Sequence, residues 1–378
     1  MSFIEFHLLQ NFAPSNLNRD DTNTPKSCLF GGFQRARISS QCQKRQIRMH
    51  PDFTQSVLDH KGDLGVRTKK LGIEIRDALI ASGHNEEQSE KVTENLLKQA
   101  DLALNKKDKK AAFRTEYLLY VGQNEKAGLI QLAQEHFSEL ADDKADASLK
   151  KAVKALLSDK SFAADIALFG RMVADNANLN VNAACQVAHA ISTNQVAPQM
   201  DFYTAVDDVL TEGEQGSGMM GAVYFNSACY YRYAQINLSI LLDNLAKDKE
   251  QALGTIQGFF KGLIQAVPSG KQNSFAAQNP PSYIKVNVRN SGAPWALTNA
   301  FTSPVMPTKP DEGELEQLSA QKLETMDAKL KRMYGEEGFA FEKISTYLDD
   351  LSYADKQCTI AELEKGLLNC LNEILESA

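Results

Sequence analysis

The sequence predicts an α+β fold, in which a β-sheet is interrupted by a long helical insertion and by a two-stranded arm. Apolar residues alternate with other residues in segments 3–9, 230–238 and 283–290, which is the pattern of β-strands. Between the last two strands, the apolar residues of 249–267 follow a helical period. Because strand, helix and strand recur near both ends of the chain, we expect a ferredoxin-like sheet, which is a common RNA-binding platform.

The helical insertion is expected between residues 66 and 160. Its segment 86–104 is polar and helix-forming, with a modest apolar stripe that includes Val92 and Leu96. Four lysines between positions 106 and 110 form a basic run, which we interpret as a solvated turn.

The arm is expected at 193–227, where a polar, glycine-rich centre at 213–218 is flanked by apolar residues such as Phe202 and Met220. Such an arm buries little surface on itself, so we expect it to meet a partner. The alternative interpretation is a disordered loop. After a proline-rich linker at 294–310, two acidic helices complete the chain.

Composition describes a globular chain with an uneven charge. The 378 residues are 43% hydrophobic and 24% charged, which is enough for a sizeable core. The net charge of −7 argues at first against binding to nucleic acid. However, residues 1–50 hold seven Lys or Arg against three Asp or Glu (+4), whereas residues 301–378 hold eight against sixteen (−8). Because the local field steers a polyanion, a basic groove is compatible with this acidic total.

Several classes of protein are disfavoured by what the sequence contains. The six cysteines form no Cys-x-x-Cys pair, as expected for reduced thiols of a cytosolic protein. The six histidines lie apart without a zinc-ligand spacing, so we expect neither a metal nor a cofactor. The first ten residues do not resemble a signal peptide, and no stretch approaches the roughly 20 apolar residues of a membrane span. We therefore expect a cytoplasmic protein without a membrane partner.

Residues 11–50 carry the strongest functional signal. Their second half contains five basic side chains and no acidic one, namely Arg35, Arg37, Lys44, Arg45 and Arg48. Arg19 and Lys26 precede them, and Gly31-Gly32 allow a ligand to approach the backbone closely. Basic, amide and hydroxyl side chains beside glycine are the usual phosphate-contacting mixture. The alternative is a solvated basic surface.

A helix is predicted to begin at Ser39-Ser40, because Ser40 and Gln43 fit a Ser-x-x-Gln capping box. One face of that helix carries Gln41, Lys44, Arg45 and Arg48. A basic face behind a glycine loop suits a run of phosphates.

Further candidates lie later in the chain. Arg171 is a candidate phosphate ligand, and Met172 is a candidate wedge between bases, with ordinary core packing as the alternative. The polar loop at 268–273 is another candidate phosphate contact. We interpret His189 as a structural histidine, because no Ser, Cys or Asp partner is visible around it.

Asp20-Asp21 is the one carboxylate pair that suggests an enzyme. Two aspartates in a loop can bind Mg²⁺ and cleave a phosphodiester, so the alternative function is a metal-dependent ribonuclease. Against this alternative, no third carboxylate or general base lies in the loop, and aspartate is a common turn former.

Two N-terminal motifs, PSNLNRDD at 14–21 and FGGFQRARISSQCQKRQIR at 30–48, closely resemble the signature of the CasC family, the backbone subunits of type I-E CRISPR Cascade complexes. The resemblance continues in order through DIALFGRM (165–172), VAHAISTNQV (187–196), DFYTAVDD (201–208), YYRYAQINL (230–238) and VPSGKQNSFAAQNP (267–280). It covers most of the chain to about residue 300, whereas 52–160 and 305–378 add little.

The resemblance implies a single hand-shaped chain with four parts. They are an RRM/ferredoxin-like palm at about 1–60, 161–192 and 228–300, helical fingers at about 61–160, a β-hairpin-like thumb at about 193–227, and C-terminal helices at about 311–378. It also implies a non-catalytic subunit that multimerises along a CRISPR guide RNA (crRNA) and forms the spine of a complex for antiviral DNA targeting. The expected partners are the guide RNA, the target DNA paired to it, neighbouring copies and other Cascade subunits.

The resemblance also assigns roles to individual residues. Guide phosphates would be held by Arg19, Lys26, Ser39, Ser40, Gln41, Lys44, Arg45 and Arg48. Met172, beside Arg171, would wedge at a kinked base. The thumb would act through Tyr203, Thr204 and Met220, and a palm loop would support the guide through Lys271 and Gln272. The chain departs from the family pattern at Phe202, Met219 and Met220.

Overall fold

The structure is a computed structural model that describes residues 2–105, 113–144, 146–158, 162–173, 177–206, 209, 217–307, 314–349, 351–352 and 356–377. The chain divides into two compact units. The sheet unit comprises Met1–Phe53, Gln186–Asn237 and Phe259–Ala378, and the helical unit comprises Thr54–Cys185 and Leu238–Gly258. The segment 161–192, predicted as palm, is thus shared between the two units.

The described residues confirm the predicted α+β class. Their strands are β1 Phe3–Ser15, β2 Ser27–Phe30, β3 Phe33–Ile38, β4 Gly65–Thr68, β5 Leu119–Gly122, β6 Cys185–Val187, β7 Ala190–Ser192, β8 Gln199–Val206, β9 Ser217–Asn237, β10 Tyr283–Arg289 and β11 Phe339–Thr346. Their α-helices are α1 Ser40–Arg48, α2 Pro51–Asp59, α3 Leu71–Ala81, α4 Glu86–Gln99, α5 Gln123–Glu135, α6 Phe137–Ala141, α7 Ala147–Ser158, α8 Ala164–Phe169, α9 Leu238–Asn244, α10 Lys249–Gln265, α11 Gln272–Phe275, α12 Leu315–Tyr334 and α13 Ile360–Glu376. Short 3₁₀ turns span Ala177–Leu179 and Leu297–Phe301. Across these ranges, we find no helix with the length and apolarity needed to cross a bilayer.

The sheet is organised around β1. Within the described residues its strand order is β11-β10-β1-β9-β7-β3-β2, and β6 and β8 also pair with β9. Phe3 lies opposite Arg289 of β10 and Asn237 of β9, and both pairings are antiparallel. The predicted succession of strand, helix and strand is present as β9, α10 and β10.

One face of the sheet forms an aromatic and aliphatic core. Ile4, Phe6 and Leu8 alternate along β1 and are fully buried, as the strand periodicity predicts. The ring of Phe6 packs against Phe259 and Phe260 of α10, with centroid distances of 5.4 and 6.5 Å.

The opposite face of the sheet is buried as well. Leu9 and Tyr231 join Phe301 of the 3₁₀ turn and Leu323 of α12 in a second core. A buried ion pair reinforces this cover, because Lys285 Nζ lies 2.5 Å from Asp327 Oδ2 of α12. Residues on both faces of the sheet around β1 are therefore covered by other parts of the chain.

The helical unit has its own core, as expected for the insertion. Leu71, Leu96, Leu129 and Val153, one each from α3, α4, α5 and α7, are fully buried. Beside these helices, β4 and β5 form a two-stranded sheet. The lysine run at 106–110 lies outside the described residues.

The arm is a β-hairpin, as predicted. Strand β8 pairs antiparallel with the first part of β9, from Gln199 opposite Phe225 to Val206 opposite Ser217. Strand β9 then continues into the body of the sheet, where its partner is β1. Of the predicted glycine-rich centre at 213–218, residues 213–216 lie outside the described residues, and Ser217 and Gly218 belong to β9.

Candidate nucleic-acid interface

Helix α1 begins one residue earlier than the predicted capping box. Ser39 is the N-cap, and its Oγ accepts a hydrogen bond from the Cys42 N–H at 3.2 Å. Gln43 is buried instead of capping the helix, and its Nε2 donates to the Ala188 carbonyl at 2.8 Å. The prediction for Ser40 and Gln43 was wrong because tertiary burial of Gln43 outweighs the local motif.

The basic residues of α1 lie towards its C-terminus. Arg45 and Arg48 occupy the last turn, where a positive charge also interacts favourably with the helix dipole. Gln41 and Arg45 are exposed, and Lys44 and Arg48 are half-buried. Helix α1 therefore carries cations after its first turn, whereas the N–H groups of Ser39, Ser40 and Cys42 at its start donate within the chain.

The loop before β2 is folded by Asp20. Its Oδ1 accepts hydrogen bonds from the Thr22 hydroxyl at 2.7 Å and from the backbone N–H groups of Thr22 and Thr24 at 2.9 and 3.0 Å. These bonds, led by the Thr22 hydroxyl, lower the pKa of the Asp20 carboxyl. The carboxylate that suggested a metal-dependent enzyme is thus engaged in a turn. In the part of the chain that the structure describes, no three His, Cys, Asp or Glu side chains are grouped to hold a metal ion.

A groove of about 330 Å³ joins three parts of the predicted site. Its lining comprises Leu17, Asn18, Arg19, Asp20, Asn23, Cys42, Gln46, Ser269 and Gly270. Asn18 Oδ1 accepts the Ser39 N–H at 2.8 Å, which ties the loop to the start of α1. A Cβ at Gly270 would lie 2.3 Å from the Leu17 carbonyl oxygen, so only glycine allows the two loops to approach this closely.

The loop that carries Lys271 and Gln272 is held in a strained turn. Lys271 has a left-handed φ of 53° and lies directly after Gly270 of the groove. Gln272 Nε2 donates to the carbonyls of Pro268 and Ala277 at 2.9 and 3.1 Å. Gln272 therefore shapes the loop, and the predicted phosphate contact of Lys271 stays a prediction.

Arg35 does not belong to the basic surface. It is fully buried, and its Nη1 donates to the Ser192 carbonyl at 2.8 Å and its Nη2 to the Phe301 carbonyl at 2.7 Å. Two residues further along β3, Arg37 is half-buried and its Nη1 lies 3.2 Å from His189 Nδ1.

His189 supports the start of α1, as expected for a structural histidine. Its Nδ1 accepts the Ser40 N–H at 3.2 Å. Desolvation, with a smaller contribution from the charge of Arg37, lowers the pKa of His189 and favours the neutral, accepting ring.

Arg171 and Met172 differ sharply in exposure. Arg171 is buried in the helical unit, where its guanidinium pairs with Glu125 and donates to the carbonyls of Leu179 and Leu157. The predicted phosphate contact does not fit this buried position. Met172, in contrast, is 85% exposed beside a cavity of about 550 Å³, so it is available for the predicted wedge.

The thumb residues lie together on the hairpin. Thr204 pairs directly with Met220 across the two strands, and both are exposed. Tyr203 lies over Gly221, where a Cβ would come within 2.5 Å of the tyrosine hydroxyl. Because side chains alternate along a strand, Thr204 and Met220 lie on one face of the hairpin and Tyr203 lies on the other.

Sequence reasoning missed the contributions of Asn18 and Gly270 to the groove. Asparagine and glycine in loops are general turn signals. Neither signal indicates which residue is contacted, however, and the partner of Asn18 is Ser39, 21 positions away.

Comparison with known proteins places this arrangement among CRISPR proteins. No curated protein matches the chain. A chain of a solved structure described as a CRISPR RNA-guided surveillance complex, pre-nicking, is 27% identical, with a TM-score of 0.83 over 98% of this chain and 100% of that chain. A chain of a second CRISPR RNA-guided surveillance complex is 21% identical and shares the fold, with a TM-score of 0.73 over 100% of both chains. Residues 4–372 match the CT1975-like protein family, and the chain belongs to that family.

Proposed function

We propose that this chain is a backbone subunit of a type I-E Cascade complex and binds a CRISPR guide RNA. The observation that carries the proposal is the end-to-end similarity to a chain of an RNA-guided surveillance complex, with a TM-score of 0.83 and 100% of that chain covered. Similarity over the whole length supports a shared role for the palm, the insertion and the hairpin together. The family membership supports the same role.

The guide-binding surface of the proposal is the groove with its basic surroundings. Arg19 lines the groove, Lys271 follows its glycine, and α1 supplies Lys44, Arg45 and Arg48. Lysine and arginine bind phosphates without regard to base identity and release counterions on doing so. Such a surface holds the backbone of any guide sequence and leaves the reading of the target DNA to base pairing.

The hairpin is the element that we assign to assembly. Met200, Phe202 and Met220 expose large apolar surfaces on a two-stranded arm that cannot bury them against itself. In the proposal, the thumb of each copy folds over the guide, contacts a neighbouring copy and displaces one nucleotide at a regular interval. Copies repeated along one guide then form the spine of the complex in the cytoplasm.

We further propose that the subunit is not catalytic. The support is the geometry of Asp20, whose carboxylate accepts three hydrogen bonds from its own loop. A carboxylate that accepts these hydrogen bonds stabilises the conformation of the guide-binding loop. Its substitution is therefore expected to weaken RNA binding and to leave no cleavage activity to lose.

The test is co-expression of the chain with a CRISPR array and its processing subunits, followed by size-exclusion chromatography with light scattering and absorbance at 260 and 280 nm. The expected result is a large particle that contains RNA of one defined length and several copies of this chain. A monomer free of nucleic acid under these conditions would contradict the proposal.

A further inference from the structure

The root of the hairpin is a point at which β9 changes its partner. Phe225 is the last residue of β9 paired with β8, opposite Gln199, and Asn226 lies opposite Ser15 of β1. The register between β1 and β9 shifts between Phe12 and Ser15, as at a β-bulge. Regular sheet pairing is thus interrupted where the arm leaves the body, and other contacts must set the direction of the arm.

Asn16 provides such a contact. It follows β1 directly, is 1% exposed, and its Nδ2 donates to the Tyr224 carbonyl at 2.8 Å and to the Asn23 carbonyl at 3.0 Å. Because both partners are acceptors, the amide nitrogen must face them. A single buried amide therefore connects the root of the hairpin with the Asp20 loop of the groove.

A second contact connects the root with the other side of the groove. The rings of Phe225 and Phe275 lie 5.7 Å apart at an interplanar angle of 45°. Phe275 ends α11, the short helix that begins immediately after Lys271. Both loops assigned to phosphates are thus in contact with neighbouring residues of one strand, Tyr224 and Phe225.

We propose that Asn16 is a positioning residue that couples the phosphate-binding loop to the thumb. When the loop is held by the guide, the two amide hydrogen bonds hold the root of β9 at one angle, which fixes where the thumb crosses the guide. Without these bonds the loop and the root open independently of each other. The inference deepens the proposed function and rests on it for the role of the thumb.

The first test uses the isolated chain and needs no RNA. In Asn16→Ala, hydrogen exchange should accelerate about tenfold both in 17–26 and in 217–226, because each segment loses a hydrogen bond to a buried donor. The matched control is Asn244→Ala in the helical unit, where a buried amide likewise donates to two carbonyls, those of Ala167 and Asn182. The control should leave both segments unchanged. Unchanged exchange in either segment of Asn16→Ala overturns the coupling.

If Asn16→Ala does not fold, Asn16→Asp tests the same two hydrogen bonds, because it keeps the size of the side chain and replaces the Nδ2 donor by an acceptor. Asn16→Asp should also accelerate exchange in 17–26 and 217–226 relative to Asn244→Ala. Exchange in these segments equal to that of Asn244→Ala would overturn the proposal.

The second test uses the guide-bound assembly and acylation of ribose 2′-hydroxyl groups along the guide. The wild type should show reactive nucleotides at a regular interval. In Asn16→Ala, compared with the wild type at equal guide occupancy, the contrast between reactive and protected positions should fall at least about threefold, because the root of the thumb is no longer held at one angle. An unchanged pattern overturns the proposal. If the wild type binds no RNA, the proposed function fails, whereas the exchange experiment still decides whether Asn16 couples loop and root.

Discussion

Arg171 and Glu125 form a buried ion pair in the helical unit, with Nη1 2.8 Å from Oε1 and side-chain exposures of only 3% and 6%. Burial raises the pKa of the Glu125 carboxyl, and the charge of Arg171 acts in the opposite direction. Two charges removed from water in this way stabilise the fold only while both are present. The pair therefore assigns Arg171 to the fold rather than to the guide.

We accordingly expect Arg171→Ala to destabilise the protein by about 3–5 kcal/mol, because it leaves Glu125 buried without its cation. Denaturant unfolding measures the effect. The control is Arg67→Ala, whose exposed guanidinium lies 4.7 Å from the Tyr120 ring centroid and should contribute less than about 1 kcal/mol. Wild-type stability of Arg171→Ala together with loss of RNA binding would instead show that Arg171 contacts the RNA.

The cations of α1 should act on the guide through its phosphates. In Lys44→Gln with Arg48→Gln, guide affinity should fall for every RNA sequence, and the slope of log K against log salt should decrease by about 2. The control pair, Lys329→Gln with Arg332→Gln, removes the same charges from exposed positions of α12. Equal salt slopes in the two double variants would show that α1 is only a solvated helix.

Substitutions in the Asp20 loop distinguish a role in RNA binding from a role in catalysis. Asp20→Ala removes the acceptor of three hydrogen bonds and should reduce guide affinity severalfold through disorder of the loop. Asp21→Ala, at the exposed neighbouring position, is the matched control. Labelled RNA incubated with Mg²⁺ should stay intact with all three proteins. Cleavage by the wild type that either substitution abolishes would instead establish the ribonuclease alternative.

Local patterns in the sequence predicted β1, the second half of β9, β10, the hairpin and the position of α1, but not strands such as β2, β3 and β11. What they could not supply was the partner of each polar residue. Arg35 and Arg37 share a face of β3 and look equivalent in the sequence, yet Arg35 is buried against the carbonyls of Ser192 and Phe301, whereas Arg37 contacts His189. Likewise, Arg171 meets Glu125 across 46 positions, a distance that no spacing rule covers.

The polar face of β1 illustrates the same limit. Alternation placed Glu5 and His7 on a face that a lone strand would turn to solvent, but the 3₁₀ turn and α12 cover that face. Desolvation raises the pKa of Glu5 to about 7, against the hydrogen bond from the Trp295 N–H and the charge of Arg289, and it lowers the pKa of His7 to about 3. The sequence pattern indicated that Glu5 and His7 lie in a strand, but it did not indicate that they are buried titratable groups.

Glu5 should make the protein less stable as the pH rises. Its folded pKa of about 7 lies above the ordinary value of 4.5, so between these values the folded state binds more protons, and the free energy of unfolding falls by up to ~3 kcal/mol. Glu5→Gln removes this loss, so the variant should gain stability relative to the wild type between pH 5 and pH 8.

Denaturant unfolding at the two pH values measures this gain. Because the wild type and Glu5→Gln both contain His7, the difference between them cancels the contribution of His7. That contribution is opposite in sign, since the lowered pKa of His7 makes the free energy of unfolding fall as the pH decreases below about 6.5. Glu336→Gln, at an exposed position, should follow the wild type. Parallel pH profiles for the wild type and Glu5→Gln would contradict the assignment.

The hairpin should control assembly more than affinity. Met220 is 67% exposed opposite Thr204, and such an apolar side chain contributes only when a neighbour covers it. In Met220→Ser, the number of copies per guide should therefore decrease in light scattering, while the affinity of a single copy for a short RNA changes less than about twofold, because phosphate contacts dominate it. Met333→Ser, which removes a similarly exposed methionine from α12, should assemble normally. Loss of short-RNA affinity in Met220→Ser alone would instead mean that the thumb holds the guide of its own copy, and full assembly in both variants would exclude Met220 from the contact between copies.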